Sequence, residues 1–209
     1  MASKSPSNPG WLIPGVRERW GRDLLHCPYC HGWEVRDQPI DVLGTEPGSV
    51  QHAQLVRQWS EDVIFFAHTD DLTGAENAEL EARGVRVFHE EVARLVVEDD
   101  RLVGVELIDG RVIACTAVFI RPSNIPYADG LLAGLGCELD VAGFVAVDGS
   151  GRTTNPGVWA AGNVVDRRAQ VITSAGAGSA AAIALNADLV QEDVEHAVSA
   201  NPPSSNSNR

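Results

Sequence analysis

The sequence predicts an α/β protein: a doubly wound, three-layer unit with an antiparallel meander laid on it, then a smaller unit closed by a long helix. Three observations predict this. Residues 39–88 alternate short apolar runs with amphipathic segments, the β-α-β-α-β pattern of a parallel sheet flanked by helices. Residues 92–120 change to strands joined by tight turns, which reads as antiparallel. Beyond a break at Arg121-Pro122-Ser123-Asn124, an Ala/Gly-rich helix is expected over residues 171–190.

In chain order, residues 1–10 are rich in Ser, Pro, Asn and Gly and predict a disordered lead-in. Residues 11–15 are an apolar patch ending in a Pro-Gly turn, and residues 16–22 are basic and aromatic. One helix is expected from about Cys30, because Pro28 disfavours helix at Cys27. Residues 39–43 read as a strand, residues 44–49 as a turn with Pro47 suited to a helix start, and residues 50–59 as the helix. The continuous apolar run at residues 63–67 is the kind buried on both faces of a parallel sheet. A helix over residues 76–83, stopped by Gly84, leads to a third strand at residues 85–88. Strands follow at residues 92–97, 102–108 and 112–120, turned at Asp99-Asp100 and Asp109-Gly110. A short helix at residues 131–136 and strands at residues 144–148 and 158–161 precede the long helix. From Ser199 the composition is again that of a disordered tail.

The chain has 209 residues, 44% apolar and 22% charged, which fits one or two globular domains with a real core. A formal net charge of −13 argues against nucleic acid and anionic membranes as partners. No apolar run approaches a membrane span, and residues 1–6 do not read as an apolar signal run. Four cysteines in this length are not a disulfide scaffold, so the expected location is the cytoplasm.

The chemistry centres on Cys27-Pro28-Tyr29-Cys30-His31-Gly32. Two cysteines at this spacing are within disulfide reach, and a helix start beside them favours the thiolate. His31 follows directly and is placed to exchange a proton with a sulfur. Three readings compete: a redox dithiol, a c-type haem site spelled C-x-x-C-H, and half of a zinc site. Haem attachment calls for export, and zinc needs two further ligands, which the scattered Cys115 and Cys137 do not offer as a second pair. The stretch alone leaves the three open.

Two other places bear on cofactors. In the first βα turn, a dinucleotide fingerprint wants glycine where the backbone turns, meets pyrophosphate and packs helix on strand. Gly44 fills the first place, Glu46 the second and Ser49 the third, so the NAD(P) site that Gly44, Gly48 and Ser49 would form is degenerate. The next strand ends in Ala67-His68-Thr69-Asp70-Asp71, without the arginine that a 2′-phosphate favours, although Asp70 suits a ribose. The long helix begins near Gln170 with small residues, and its N–H groups suit the anionic edge of a reduced flavin. Plain close packing of a helix on a sheet explains the same residues.

Taken together, the order Cys27-x-x-Cys30, a βαβ unit, Thr154-x-Pro156-Gly157-Val158-Trp159-Ala160-Ala161-Gly162-Asn163 and Gln170-Val171-Ile172-Thr173-Ser174-Ala175-Gly176 resembles the thioredoxin reductase family of FAD/NAD(P)-dependent pyridine nucleotide-disulfide oxidoreductases. The C-terminal blocks carry the resemblance, which selects the redox dithiol. It implies a Rossmann-like NAD(P)-binding-like domain over residues 23–120 and the C-terminal part of a split FAD-binding domain over residues 121–198, between a lead-in and linker (1–22) and a tail (199–209). It implies that Cys27 faces the external dithiol or disulfide, that Cys30 exchanges electrons with FAD, and that His31 is the acid/base. Gly162 and Asn163 then match the pair at the ribityl chain, and Gln170 and Val171 match residues at the isoalloxazine edge. The implied partner is a small dithiol or disulfide or a thioredoxin-like protein, with a homodimer when complete.

The departures shape the expectation. The first half of the family's flavin domain, with its adenine-binding glycine turn, has no counterpart here, so a partner chain supplies it or the chain is a truncated product. The degenerate turn and the Cys-Pro-Tyr-Cys-His-Gly spelling are similar to dithiol oxidases that form disulfides in small molecules, pass electrons to oxygen and dispense with NAD(P)H. The expected function is a flavin-dependent thiol–disulfide oxidoreductase of thioredoxin reductase type, shuttling electrons between NAD(P)H, FAD and the Cys27-x-x-Cys30 dithiol. The alternatives are such an oxidase, and a non-catalytic remnant or binding module.

Overall fold

The structure, a computed structural model, describes residues 9–121 and 130–201. Most of the lead-in, most of the break after Arg121 and all of the tail beyond Asn201 lie outside the described residues. The chain divides into two compact units, residues 1–123 and 124–209.

In the first unit a 3-10 turn at Pro9–Leu12 and a short helix α1 (Val16–Arg19) precede strand β1 (Leu24–Leu25) and helix α2 (Pro28–His31). Then come β2 (Ile40–Leu43), α3 (Ser49–Val56), β3 (Val63–Phe66), α4 (Gly74–Ala82) and β4 (Arg86–Phe88). The meander is β5 (Val92–Glu98), β6 (Arg101–Leu107) and β7 (Val112–Ala114), and β8 (Ala117–Ile120) follows it. β1, β8, β2, β3 and β4 form, in that order, a five-stranded sheet whose pairs are all parallel.

All four residues of β2, β3 and β8 are buried, as parallel strands covered on both faces require. Alternation then sorts the side chains. Ile40, Val42, Val63, Phe65, Ala117 and Phe119 point to one face, where Val50, Ala53 and Val56 of α3 and Leu80 of α4 cover them. Leu43, Ile64, Phe66, Val118 and Ile120 point to the other, covered by Leu95, Leu102, Val105 and Leu107 of the meander and by Ile13 and Val16. The three layers are therefore helices, parallel sheet and meander. α4 starts on a capping box: Thr73 accepts from the Glu76 N–H, and the Glu76 carboxylate accepts from the Thr73 N–H.

The single strand expected over residues 112–120 is two strands in different sheets. Cys115 still donates its N–H to Val103 O of the meander, but Thr116 donates both its N–H and its hydroxyl to Pro39 O and swings the chain into the parallel sheet.

The second unit contains α5 (Leu131–Gly134) and α6 (Val171–Ala200), and Leu132 of α5, with Val158 and Val165, packs on a small core of Cys137, Val145 and Ala160. The strands expected at residues 144–148 and 158–161 are reduced to isolated bridges, Leu139 to Val145, Val147 to Thr153 and Arg152 to Trp159. Gly143, Gly151 and Gly157, all at positive φ, interrupt any longer ladder. α6 runs ten residues past the expected end at Val190, 30 residues in all, because good helix formers continue with no Gly or Pro before Pro202. Among the described residues no helix is long and apolar enough to cross a membrane.

Candidate active site

β1 ends at Leu25, and His26 and Cys27 carry the chain into α2. Cys27 is the N-cap, extended at φ −106° and ψ 106° as the residue before a proline must be, and Pro28 opens the helix. The helix thus starts two residues before Cys30, the start expected from sequence, and makes a single turn. A four-residue helix aligns few peptide dipoles, so its terminus favours a thiolate less than a long helix would. The N–H groups of Cys30 and His31 both donate to Cys27 O at 3.1 Å, which folds the two cysteines together. They form a disulfide with Cα atoms 5.2 Å apart. Cys30 is exposed and Cys27 half-buried.

Around the disulfide, Tyr29 and Trp33 are 68% and 64% exposed. Arg36 lies 3.6 Å from the Trp33 ring centroid and donates to Trp33 O. His31 Nδ1 is 3.4 Å from Glu34 Oε2, an arrangement that orients the imidazole next to Cys30. Gly32 is fixed by close approach: a Cβ there would lie 2.4 Å from both Trp59 Nε1 and Pro28 O. Behind Cys27, His26 stacks on Trp20 at 5.3 Å and 18°, and burial, then His31, push its pKa down.

The glycine turn between β2 and α3 is occupied by the chain itself. Gly44 is required because a Cβ would meet Ala67 O and Phe65 Cζ at 2.8 Å. The N–H groups of Thr45 and Glu46 both point to Ser49 Oγ, at 3.4 and 3.3 Å, while Ser49 donates to Glu46 O. Arg121, just past β8, donates to Gly48 O at 3.1 Å, and its guanidinium lies where any Gly48 side chain would be. This is the crevice between β2 and β8 at which doubly wound sheets take their ligands. Asp70, after β3, has its pKa raised by burial and then by Glu76 and Asp71.

In the second unit, Gly162 is buried at φ +85°, and a Cβ there would approach Ser174 Oγ to 3.4 Å. Gly162 therefore meets the first turn of α6. Gln170 is the N-cap but makes no side-chain cap, and the first turn holds no acid. Its N–H groups and the exposed Asn163, Gln170 and Val171 form a surface that suits an anionic, hydrogen-bonding edge. The residues singled out from sequence thus fall into three groups: Cys27, Cys30 and His31; Gly44, Gly48 and Ser49; and, in the other unit, Gly162, Asn163, Gln170 and Val171. Trp20, His26, Glu34, His52, Trp59 and Arg121 are added by the structure, and no spacing rule marks them. Among the described residues, no three His, Cys, Asp or Glu side chains gather as a metal-ligand set.

Residues 4–181 match the pyridine nucleotide-disulphide oxidoreductase family. The chain is 29% identical over 192 residues to thioredoxin reductase of Mycolicibacterium smegmatis, an alignment covering 87% of this chain and 61% of that protein. It is 30% identical over 182 residues to thioredoxin reductase of Streptomyces coelicolor, covering 82% and 56%. The crystal structure of HlmI superposes with a TM-score of 0.86 at 61% identity, over 90% of this chain and 59% of that one. The chain thus spans between 56% and 61% of the length of these relatives. The matched span takes in the disulfide turn, the glycine turn and Gly162 with the start of α6, and on that ground the chain belongs to the pyridine nucleotide-disulphide oxidoreductase family, with thioredoxin reductases among its relatives.

Proposed function

We propose that the chain acts as a flavin-dependent thiol–disulfide oxidoreductase, with Cys27 and Cys30 as its redox pair and a small dithiol or a thioredoxin-like protein as its partner. The observation that carries this reading is the Cys27–Cys30 disulfide at the surface, with His31 held by Glu34 beside it. A partner thiolate attacks one sulfur, the Cys27–Cys30 bond breaks, and a mixed disulfide forms; the partner's second thiolate then displaces the remaining cysteine. His31 accepts the partner's proton and returns it to the leaving thiolate. Gly162, Asn163, Gln170 and Val171 would hold FAD, whose chemistry is to take an electron pair from a dithiol or deliver one to a disulfide. The exposed α6 terminus without an acid fits that group.

One observation favours a direction. The N–H groups of the glycine turn are engaged by Ser49, and Arg121 covers Gly48, so the nicotinamide crevice is filled by side chains of this chain. That supports oxidation of a substrate dithiol by oxygen, with R(SH)2 and O2 giving the cyclic disulfide and H2O2, over reduction by NAD(P)H. The test is exchange with dithiothreitol and with a reduced thioredoxin, followed by alkylation and peptide mapping. The reading requires Cys27 and Cys30 to become alkylatable on reduction and to re-form the bond on oxidation, and requires Cys27→Ser and Cys30→Ser each to abolish the cycle. A pair that stays alkylatable under oxidising conditions overturns it.

A further inference from the structure

α6 carries an apolar stripe on the side turned away from its own unit. The helix meets that unit through Ala181, its one buried residue, and through the half-buried Leu185 and Asp188; Arg152 holds Asp188 at 2.9 Å. These three positions follow one another by four and three residues and share a face. Ile183, two residues from Ala181, lies about 200° around the helix, on the opposite side. From Ile183 the stripe continues through Ala187, Val190, Val194 and Ala197 in steps of four and three, with Val198 beside it. Ile183, Val190, Val194 and Val198 are between 50% and 70% exposed, and both alanines are exposed too. The stripe lies beyond residue 181, where the family match ends.

The charges of the helix decide what such a stripe can meet. Residues 171–200 contain no lysine or arginine, and their acids are Asp188, Glu192, Asp193 and Glu195. Helical geometry puts Asp188, Glu192 and Glu195 on the side of Ala181, Asp193 at the edge of the stripe, and no acid within it. The four-three spacing is that of an a/d seam in a two-stranded coiled coil. Of the residues flanking this seam, Ala184, Asn186 and Gln191 are neutral and Asp193 is charged. A partner of opposite charge would therefore find little to pair with on this face. A second copy offers the same apolar stripe with most of its acids turned away, which is the self-complementarity of an isologous interface. The helix is already formed on its own unit, so association carries no nucleation cost.

We propose that residues 183–198 of α6 are a self-association seam, and that the chain pairs with a second copy by laying the two stripes together. Ala187 and Ala197 alternate with Ile183, Val190 and Val194, so large side chains of one helix meet small ones of the other and the backbones come close. Each copy carries a net charge of −13, so a long-range repulsion opposes the encounter and salt screens it. The seam starts more than three helical turns past Gln170, and neither cysteine of the redox pair takes part in it. The inference is thus independent of the redox reading.

The experiment is sedimentation equilibrium of the full chain over the micromolar range, in low and high salt, with dithiothreitol present to exclude disulfide-linked dimers. The mass should rise from 22.3 kDa to twice that value with concentration, and added salt should move the transition to lower concentration. Val190→Glu with Val194→Glu puts two acids into the seam. Both positions are exposed in the single chain, so the fold should stand, and circular dichroism checks it. Association should weaken at least about a hundredfold, because like charges then face each other across the interface. Glu192→Gln, on the other side of the helix, should leave association unchanged. If the two acids disturb the helix, Val190→Gln with Val194→Gln takes their place, keeps a good helix former at each position, and must weaken pairing as well. A chain that stays at 22.3 kDa throughout overturns the inference, whatever else covers α6. A dimer that survives the seam variants, or that loosens as salt rises, overturns it too.

Discussion

Asp41 lies in the middle of β2 with 1% of its surface exposed, and its Oδ2 has no partner. Burial pushes its pKa up to about 7, against the opposing hydrogen bond from the Cys115 thiol and the charge of Arg86. The sign follows directly: the folded chain prefers the protonated carboxyl, so this stabilisation is complete below pH 3.8 and is lost as pH rises through 7. The slope for one such group approaches about 1.4 kcal/mol per pH unit. His52, with its pKa lowered, acts in the opposite sense at acidic pH, so the informative quantity is the difference between wild type and Asp41→Asn. We expect urea melts to show Asp41→Asn gaining on the wild type from pH 5 to about pH 7 and levelling above it; parallel curves over that window would refute this. Gly32 makes a steric prediction. Gly32→Ala forces a Cβ against Pro28 O, which is backbone and yields poorly, and against the Trp59 ring. The cost should be about 1–3 kcal/mol, and displacement of α2 should show as faster alkylation of reduced Cys30.

Between elements, a polar cluster ties α1 to the β5–β6 turn. Arg19, 5% exposed, is bidentate to Asp23 at 2.7 and 2.6 Å and also donates to the carboxylate and carbonyl of Asp100. Asp23 in turn accepts from the Leu102 N–H, and the turn residues Asp99 and Asp100 sit at φ 46° and 59°. Arg19→Ala leaves the half-buried Asp23 without its cation, and losing such charge-assisted hydrogen bonds should cost about 1.5–3 kcal/mol. A smaller loss of urea stability, below about 1 kcal/mol, would show that water replaces the guanidinium. Elements of this unit were legible in proportion to how local their signals are. β2 and β3 stand out as continuous apolar runs between turns, and the Thr73-x-x-Glu76 box announces α4 two residues earlier than periodicity alone places it. β1 was missed because two residues carry no period, and the β7–β8 break because Cys115-Thr116 lacks any turn residue. The same distinction holds at the candidate site. Cys27, Cys30 and His31 are marked by spacing, whereas Trp59 beneath Gly32 and His52 beneath Phe119 meet only through the tertiary fold.

For the molecule as a whole, the filled crevice separates two electron sources. We expect the thermal midpoint of the chain to be unmoved by millimolar NADPH, since a ligand stabilises only as its concentration exceeds its Kd. The Glu46→Gly, Arg121→Ala double variant removes the acid from the turn and the cover from Gly48, and should show a saturable upward shift. A wild-type chain stabilised by NADPH would restore the reductase direction. The order of the parallel sheet has a consequence in time. β8 is threaded between β1 and β2, although it is made last in the first unit. A growing chain therefore holds the open edges of β1 and β2 apart until Ile120 has left the ribosome, and the sheet closes in one late step. Cys27 and Cys30 emerge early, yet β8, whose Phe119 pairs with Leu25 just ahead of them, arrives near the end. Until then the two thiols belong to an unsupported loop, open to any oxidant or passing thiol, and the centre made first is completed last.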